Sequence, residues 1–266
     1  MKGAVVPTTL SNQVKRLAPF GVEVRAAELD ADLSKLSGLF LRHLLDDNPF
    51  VLLRGFRPLE KADMERYWQQ LGTTFSAPQE FVAHDRPTSH LFGRERVPLH
   101  CDEILTGRSP SYSVSQCYGA QEPGDGGEMT LCDSTRVLGR LSARDRRRWG
   151  AVSFDYRVPG CVSVISQPLV SLHANGRVPV LRYAEPFDRG ALGFLECAGA
   201  GMSESGSRDL VLELEAELHA AEAVVSHTWQ LYDILITDNR RILHGRSSLR
   251  GPEPYPYHLQ RIHVFS

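Results

Sequence analysis

The sequence predicts a mainly β, α+β fold: a double-sheet β-barrel or jelly roll with flanking helices. Three observations lead there. Short strand-like stretches recur through the middle and end of the chain, separated by turns rich in glycine and proline. Only a few segments carry apolar residues at helical spacing. The strand–helix alternation of the opening third does not continue beyond Gly72.

The elements follow in order. "GVEVRAAEL", 21–29, alternates apolar and polar residues and reads as a strand. "LSKLSGLFLRHLLDD", 33–47, has helically spaced leucines and stops before Asn48-Pro49. "PFVLLRGF", 49–56, is a continuous apolar run suited to a buried strand. "LEKADMERYWQQLG", 59–72, is an amphipathic helix closed by Gly72. Strands are then expected at 111–120, 129–135, 152–158, 161–166, 168–183 and 190–197, with one helix over 135–149. "HANGR", 173–177, sets Asn-Gly between two apolar runs and predicts a hairpin. A helix over 207–223 leads into the strands "DILITDN" and "RRILHGR", and "YHLQRIHVF", 257–265, is the last strand. No linker or repeat divides the chain, so residues 1–266 are expected to form one domain.

Composition narrows the function classes. A formal net charge of −2 offers no broad electrostatic footprint for nucleic acid. The basic run "RDRRRW", 144–149, reads as the solvated face of a helix. No stretch approaches the roughly 20 apolar residues of a membrane span, and no signal peptide is evident. Five scattered cysteines (Cys101, Cys117, Cys132, Cys161 and Cys197) contain no C-x-x-C pair and suit a reducing, cytoplasmic setting. No nucleic-acid or membrane partner is expected, and a homo-oligomer remains compatible with the sequence. There is no G-x-S-x-G elbow, and "GDGGE" lacks the Gly-Lys-Ser/Thr of a phosphate loop.

The chemistry begins with "LHCDEILTG", 99–107. His100 and Asp102 lie two apart and share a face if the segment is extended. With 10 histidines in the chain, such a pair also arises by chance, so a third ligand has to be found. The best candidate is His244 in "DNRRILHGR", which a β-roll can bring alongside. Two imidazoles and one carboxylate leave three octahedral positions open, the facial triad of non-haem Fe(II) sites. The absence of thiolate argues against structural zinc.

Four segments resemble the taurine dioxygenase-like (TauD/TfdA) family of non-haem Fe(II)/2-oxoglutarate oxygenases. They are "PFVLLRGF" with its following helix, "PLHCDE", "EPGDGGEMTLCDSTRVLGRLS" and "DILITDNRRILHGR", and the likeness spans most of 20–265. The resemblance implies a double-stranded β-helix (jelly-roll) core and Fe(II) on His100, Asp102 and His244. It also implies 2-oxoglutarate as cosubstrate, a small-molecule substrate and molecular oxygen as partners, and hydroxylation, desaturation or oxidative decarboxylation of a small metabolite. The 99–118 stretch and the last strand are similar to members acting on amino-acid-derived metabolites in secondary metabolism, amino-acid isonitriles among them.

Two positions depart from the family. Met129 stands where a threonine typically helps hold the distal carboxylate of 2-oxoglutarate, with Thr130 one place later and on the other strand face. Tyr257 stands where the first of two arginines spaced by four is usual, leaving Arg261. Arg261, aided by Tyr257 and Thr130, is therefore the expected cosubstrate anchor, with Arg246 and Arg250 as fallbacks. Tyr112, Gln116 and Tyr118 are the expected substrate-lining residues. Two alternatives stand beside this reading: an iron oxygenase of the same fold that does not use 2-oxoglutarate, and a non-catalytic jelly-roll protein that binds a metabolite.

Overall fold

The computed structural model describes residues 13–87, 90–106, 108–119, 121–122, 124–157, 163–188, 194–251, 253–255 and 257–266. Its centre is a pair of β-sheets. The larger sheet runs Gln13–Arg16, Val22–Arg25, Phe50–Arg54, Ile234–Asp238, Tyr112–Cys117, His258–Val264, Gln79–Val82 in spatial order. The smaller runs Val224–His227, Met129–Asp133, Ile242–Arg246, Val97–His100. Most pairings are antiparallel; Val22–Arg25 lies parallel to Phe50–Arg54.

Alternation along the strands sorts three cores. Between the sheets, Phe81, Cys117, Leu235 and Leu259 of the larger meet Leu131 and Ile242 of the smaller. On the outside of the larger sheet, Val51, Leu53, Val114, Ile236, Ile262 and Val264 pack against Leu41, Met64 and Trp68 of two helices. On the outside of the smaller sheet, Leu99, Cys132 and Leu243 pack under Val137, Trp149, Leu210 and Leu214. The central strands are therefore buried on both faces, which is why "PFVLLRGF" is apolar throughout rather than alternating. The architecture is the predicted jelly roll with flanking helices.

The helices start at identifiable caps. Ser37 Oγ accepts from Phe40 N at 3.2 Å and opens Gly38–Asp47; the preceding 33–35 turn is a separate 3₁₀ segment. The helix expected over 135–149 is two helices, Ser134–Arg140 and Ala143–Gly150. Leu141 is extended, and Ser142 caps the second helix by accepting from Asp145 N. A serine followed three residues later by an acid is a start signal, and here it outweighs the continuous apolar spacing. "RDRRRW" does form a solvated face, with Trp149 turned inward. The Asn-Gly hairpin forms between Val170–Leu172 and Pro179–Leu181. Among the described residues no helix is long and apolar enough to cross a membrane. Cys161 and the start of the 190–197 stretch lie outside the described residues.

Candidate metal centre

His100 ends its strand on the smaller sheet, and His244 is its direct cross-strand partner. Their rings stand 4.5 Å apart between centroids. Gly245 makes this register possible: a Cβ there would lie 2.6 Å from the Val97 carbonyl oxygen. Asp102 follows His100 in a tight loop in which Glu103 takes a positive φ of 62°. Asp102 Oδ1 lies 3.9 Å from His100 Nε2 and 3.5 Å from His244 Nε2. The loop is tied on two sides. Cys101 N donates to the Tyr183 carbonyl at 3.1 Å, and Asp102 N donates to Asn239 Oδ1 at 3.0 Å. Asn239 is fully buried, and its Nδ2 donates to the Pro110 carbonyl. Glu185 holds the strand before the loop, accepting from Leu99 N at 2.8 Å.

The donor set fits a divalent metal. His100 Nδ1 donates to the Pro98 carbonyl at 2.9 Å, which leaves Nε2 unprotonated and aimed at Asp102. His244 is 4% exposed and neither ring nitrogen has a hydrogen-bond partner, an expensive state for a buried imidazole unless an ion takes one lone pair. One donor atom from each of the three residues falls within a 4.8 Å group. The two carboxylate–imidazole spacings, 3.5 and 3.9 Å, exceed by less than one ångström the roughly 3 Å separating cis donors that each lie about 2.1 Å from one ion.

The electrostatics match a cation site. Burial, and then the neighbouring His244, press the His100 imidazole down to about 4, so it is a neutral ligand at ordinary pH. Burial works against the charge of Asp102, but Arg261 and His244 hold its carboxyl well below the usual carboxylate range. Arg261 Nη1 stands 3.2 Å from Asp102 Oδ1 and His263 Nε2 stands 3.0 Å from Oδ2. Both come from the last strand, two residues apart on its inner face. Neither His263 nor Asn239 was singled out by the sequence reading. The available signal for both was parity, with His263 at i+2 from Arg261 and Asn239 beside the strand end that feeds His244.

Two cavities open on this centre. A narrow one of about 50 Å³ runs from His100 and His244 to Met129, Arg246, Tyr257 and Arg261. A larger one of about 460 Å³ is walled by Ile104, Leu105, Ala184, Phe187 and Leu195, with Asp102, Arg261 and His263 on its polar side.

The remaining sequence candidates divide. Tyr257 and Arg261 reach the narrow cavity. Thr130 does not: it lies on the opposite strand face beside Ser247 and His219, while Met129 lines the cavity. The proposed substrate residues are corrected. Ser115 is the residue of its strand that lines the narrow cavity. Gln116, of the other parity, hydrogen-bonds both backbone groups of Leu59 at 3.0 Å. Tyr118 donates to the Leu59 carbonyl, and Tyr112 packs with the outer core. These three secure the outside of the sheet.

Comparison with known proteins agrees with the geometry. The profile of the "Taurine catabolism dioxygenase TauD, TfdA family" matches residues 13–263. The 3-((Z)-2-isocyanoethenyl)-1H-indole synthase of Fischerella ambigua is 30% identical over 260 residues, covering 94% of each chain. The tyrosine isonitrile desaturase of Erwinia amylovora is 26% identical, covering 99% of this chain and 95% of its own. Among solved structures, PvcB, described as an Fe, alpha-ketoglutarate dependent oxygenase from an isonitrile synthetic pathway, superposes with a TM-score of 0.78. It is 24% identical, over 100% of this chain and 95% of that one. With two histidines and an aspartate converging at the mouth of a jelly roll, and the family profile covering nearly the whole chain, this protein belongs to the TauD/TfdA dioxygenase family and is an oxidoreductase of that family.

Proposed function

We propose that the chain binds Fe(II) on His100, Asp102 and His244, uses 2-oxoglutarate, and oxidises the isonitrile of an aromatic amino acid. The observation that carries this reading is the placement of the two cavities. Both open on His100, the narrow one also on His244 and ending in cations, the wide one also on Asp102 and walled mainly by apolar side chains. An organic anion and an apolar substrate can therefore meet at one ion from different sides. The relatives that cover nearly the whole chain and act on isonitriles support the substrate class.

With iron and 2-oxoglutarate bound, the site supplies a two-electron oxidation of the substrate, coupled to conversion of 2-oxoglutarate and oxygen to succinate and carbon dioxide. The chain's own part is positional. The Pro98 carbonyl fixes the His100 tautomer, and the Asn239 amide fixes the Asp102 backbone. His263 occupies Oδ2 of Asp102 and leaves Oδ1 toward the imidazoles. Ile104, Leu105, Phe187 and Leu195 keep water from the wide cavity and offer an apolar wall to an aromatic ring. The free thiols of Cys101, Cys117, Cys132 and Cys197 fit a reducing cytoplasm.

The test is oxygen uptake by the Fe(II)-loaded protein with isonitriles derived from tyrosine and tryptophan, each with and without 2-oxoglutarate. Uptake that needs both components, with succinate formed, is expected. Uptake with the isonitrile alone selects the 2-oxoglutarate-free mechanism, and no uptake with any aromatic isonitrile overturns the substrate class.

A further inference from the structure

Resting on the cosubstrate reading above, we infer that Arg246 and Tyr257 together form the anchor for the distal carboxylate of the 2-oxo acid, and that Arg261 does not. Arg246 is 4% exposed. Its guanidinium donates to three backbone carbonyls, those of Leu91, Gly93 and Glu95. Its Nε–H is buried without an acceptor, and among the described residues no carboxylate pairs with it. Carbonyl dipoles orient a guanidinium but do not neutralise it, so a full positive charge sits in the protein interior uncompensated. A guanidinium held this way and facing a cavity is a receptor for a planar anion.

The position fits the ligand. Arg246 follows His244 by two residues on one strand, so the cavity it lines begins at a metal ligand and ends at the guanidinium. Tyr257 comes from across the barrel, and its ring lies under the Arg246 guanidinium carbon at 4.9 Å. The ring holds the fork in place and brings a phenol to the same end of the cavity. Met129 covers the side of the cavity where Thr130 has turned away. Arg261 is differently engaged. Its Nε–H also lacks an acceptor, but it stands 3.2 Å from Asp102 and lies over the Phe81 ring at 4.4 Å, so its charge is already matched by a buried carboxylate.

Visible absorption of the anaerobic Fe(II) protein reads the inference directly, because a 2-oxo acid chelating the ion gives a charge-transfer band. Two probes are titrated: 2-oxoglutarate, and pyruvate, which chelates through the same oxo acid but has no distal carboxylate. The wild type is expected to bind 2-oxoglutarate about 100-fold more tightly than pyruvate. Arg246→Met should bind the two within about threefold of each other, with pyruvate binding retained as evidence of an intact metal site, while Arg261→Met keeps most of the preference. Arg246→Lys guards against misfolding of the methionine variant: a point charge without the planar fork should lose about tenfold of the preference. An unchanged preference in both Arg246 variants, or its loss in Arg261→Met alone, overturns the assignment. No band with either probe in the wild type overturns the cosubstrate reading and this inference with it.

Discussion

Arg54 and Arg246 each end a strand beside a buried polar cluster, and their surroundings are opposite. Arg54 grips Asp233 with two bonds, Nε to Oδ1 at 2.9 Å and Nη2 to Oδ2 at 3.1 Å, and reaches Glu23 at 3.2 Å. His227 lies 3.3 Å from the same aspartate, and Gln230 N donates to it. That cluster is closed around its cation: two carboxylates hold the guanidinium, and the aspartate also accepts from Gln230 with His227 beside it. Around Arg246 the partners are carbonyls, and its neighbour on the strand, His244, has two unpartnered ring nitrogens. Folding alone gains little from burying polar groups in this way, so the open cluster is the one built for ligands.

The contrast can be broken at either end. The largest effect is expected from His100→Ala, which removes a partly exposed ligand of the open cluster. Fe(II) affinity should fall by more than about 100-fold, beyond the range for outer-shell partners, while the urea midpoint of the metal-free protein moves by less than about 1 kcal/mol in stability. Calorimetric metal titration and urea unfolding check the two halves. Asp233→Ala should do the reverse. It strands Arg54 in the closed cluster and costs about 3–5 kcal/mol of stability, with metal affinity per folded molecule unchanged.

Smaller changes sharpen the comparison. Asn239→Ala leaves the buried Asp102 N–H without its acceptor and loosens the ligand loop. Metal affinity should drop about 10–100-fold, and stability by about 1–3 kcal/mol. The smallest effect belongs to His173, whose Nε2 lies 2.9 Å from Asp238 Oδ2. The Asp238 hydrogen bond raises its pKa above the ordinary 6.5 against the pull of burial. The stabilisation is therefore complete below about pH 6.5 and fades as pH rises through the higher folded value. Denaturant midpoints across pH 5.5–8.5 should flatten in His173→Gln relative to the wild type.

Much of this was legible before folding. The candidate ligand pair His100 and Asp102 is local, and "DNRRILHGR" carries the third candidate in a recognisable context. Apolar runs announced the buried strands, while the helix starts at Ser37 and Ser142 were missed because the apolar spacing runs on through them. The substrate candidates were less accessible. Tyr112, Gln116 and Tyr118 are near the metal in sequence, but parity turns them to the outer face and leaves Ser115 inward. The proposed anchor was also hidden: the sequence favours Arg261, with Arg246 and Arg250 as fallbacks, and their partners become visible only in the fold.

The residue order by itself pointed to most of the strand and helix pattern, the family, and the three candidate metal ligands, since these depend on side-chain chemistry and short-range spacing. Only the tertiary structure decided which arginine meets a carboxylate and which is held by backbone carbonyls. It also decided which strand face lines the cavity, and that His263 and Asn239 brace Asp102. The physical reason is that charge compensation is a property of the assembled interior. It depends on which groups strands remote in sequence bring within about 3 Å of one another, and local pattern does not contain that information.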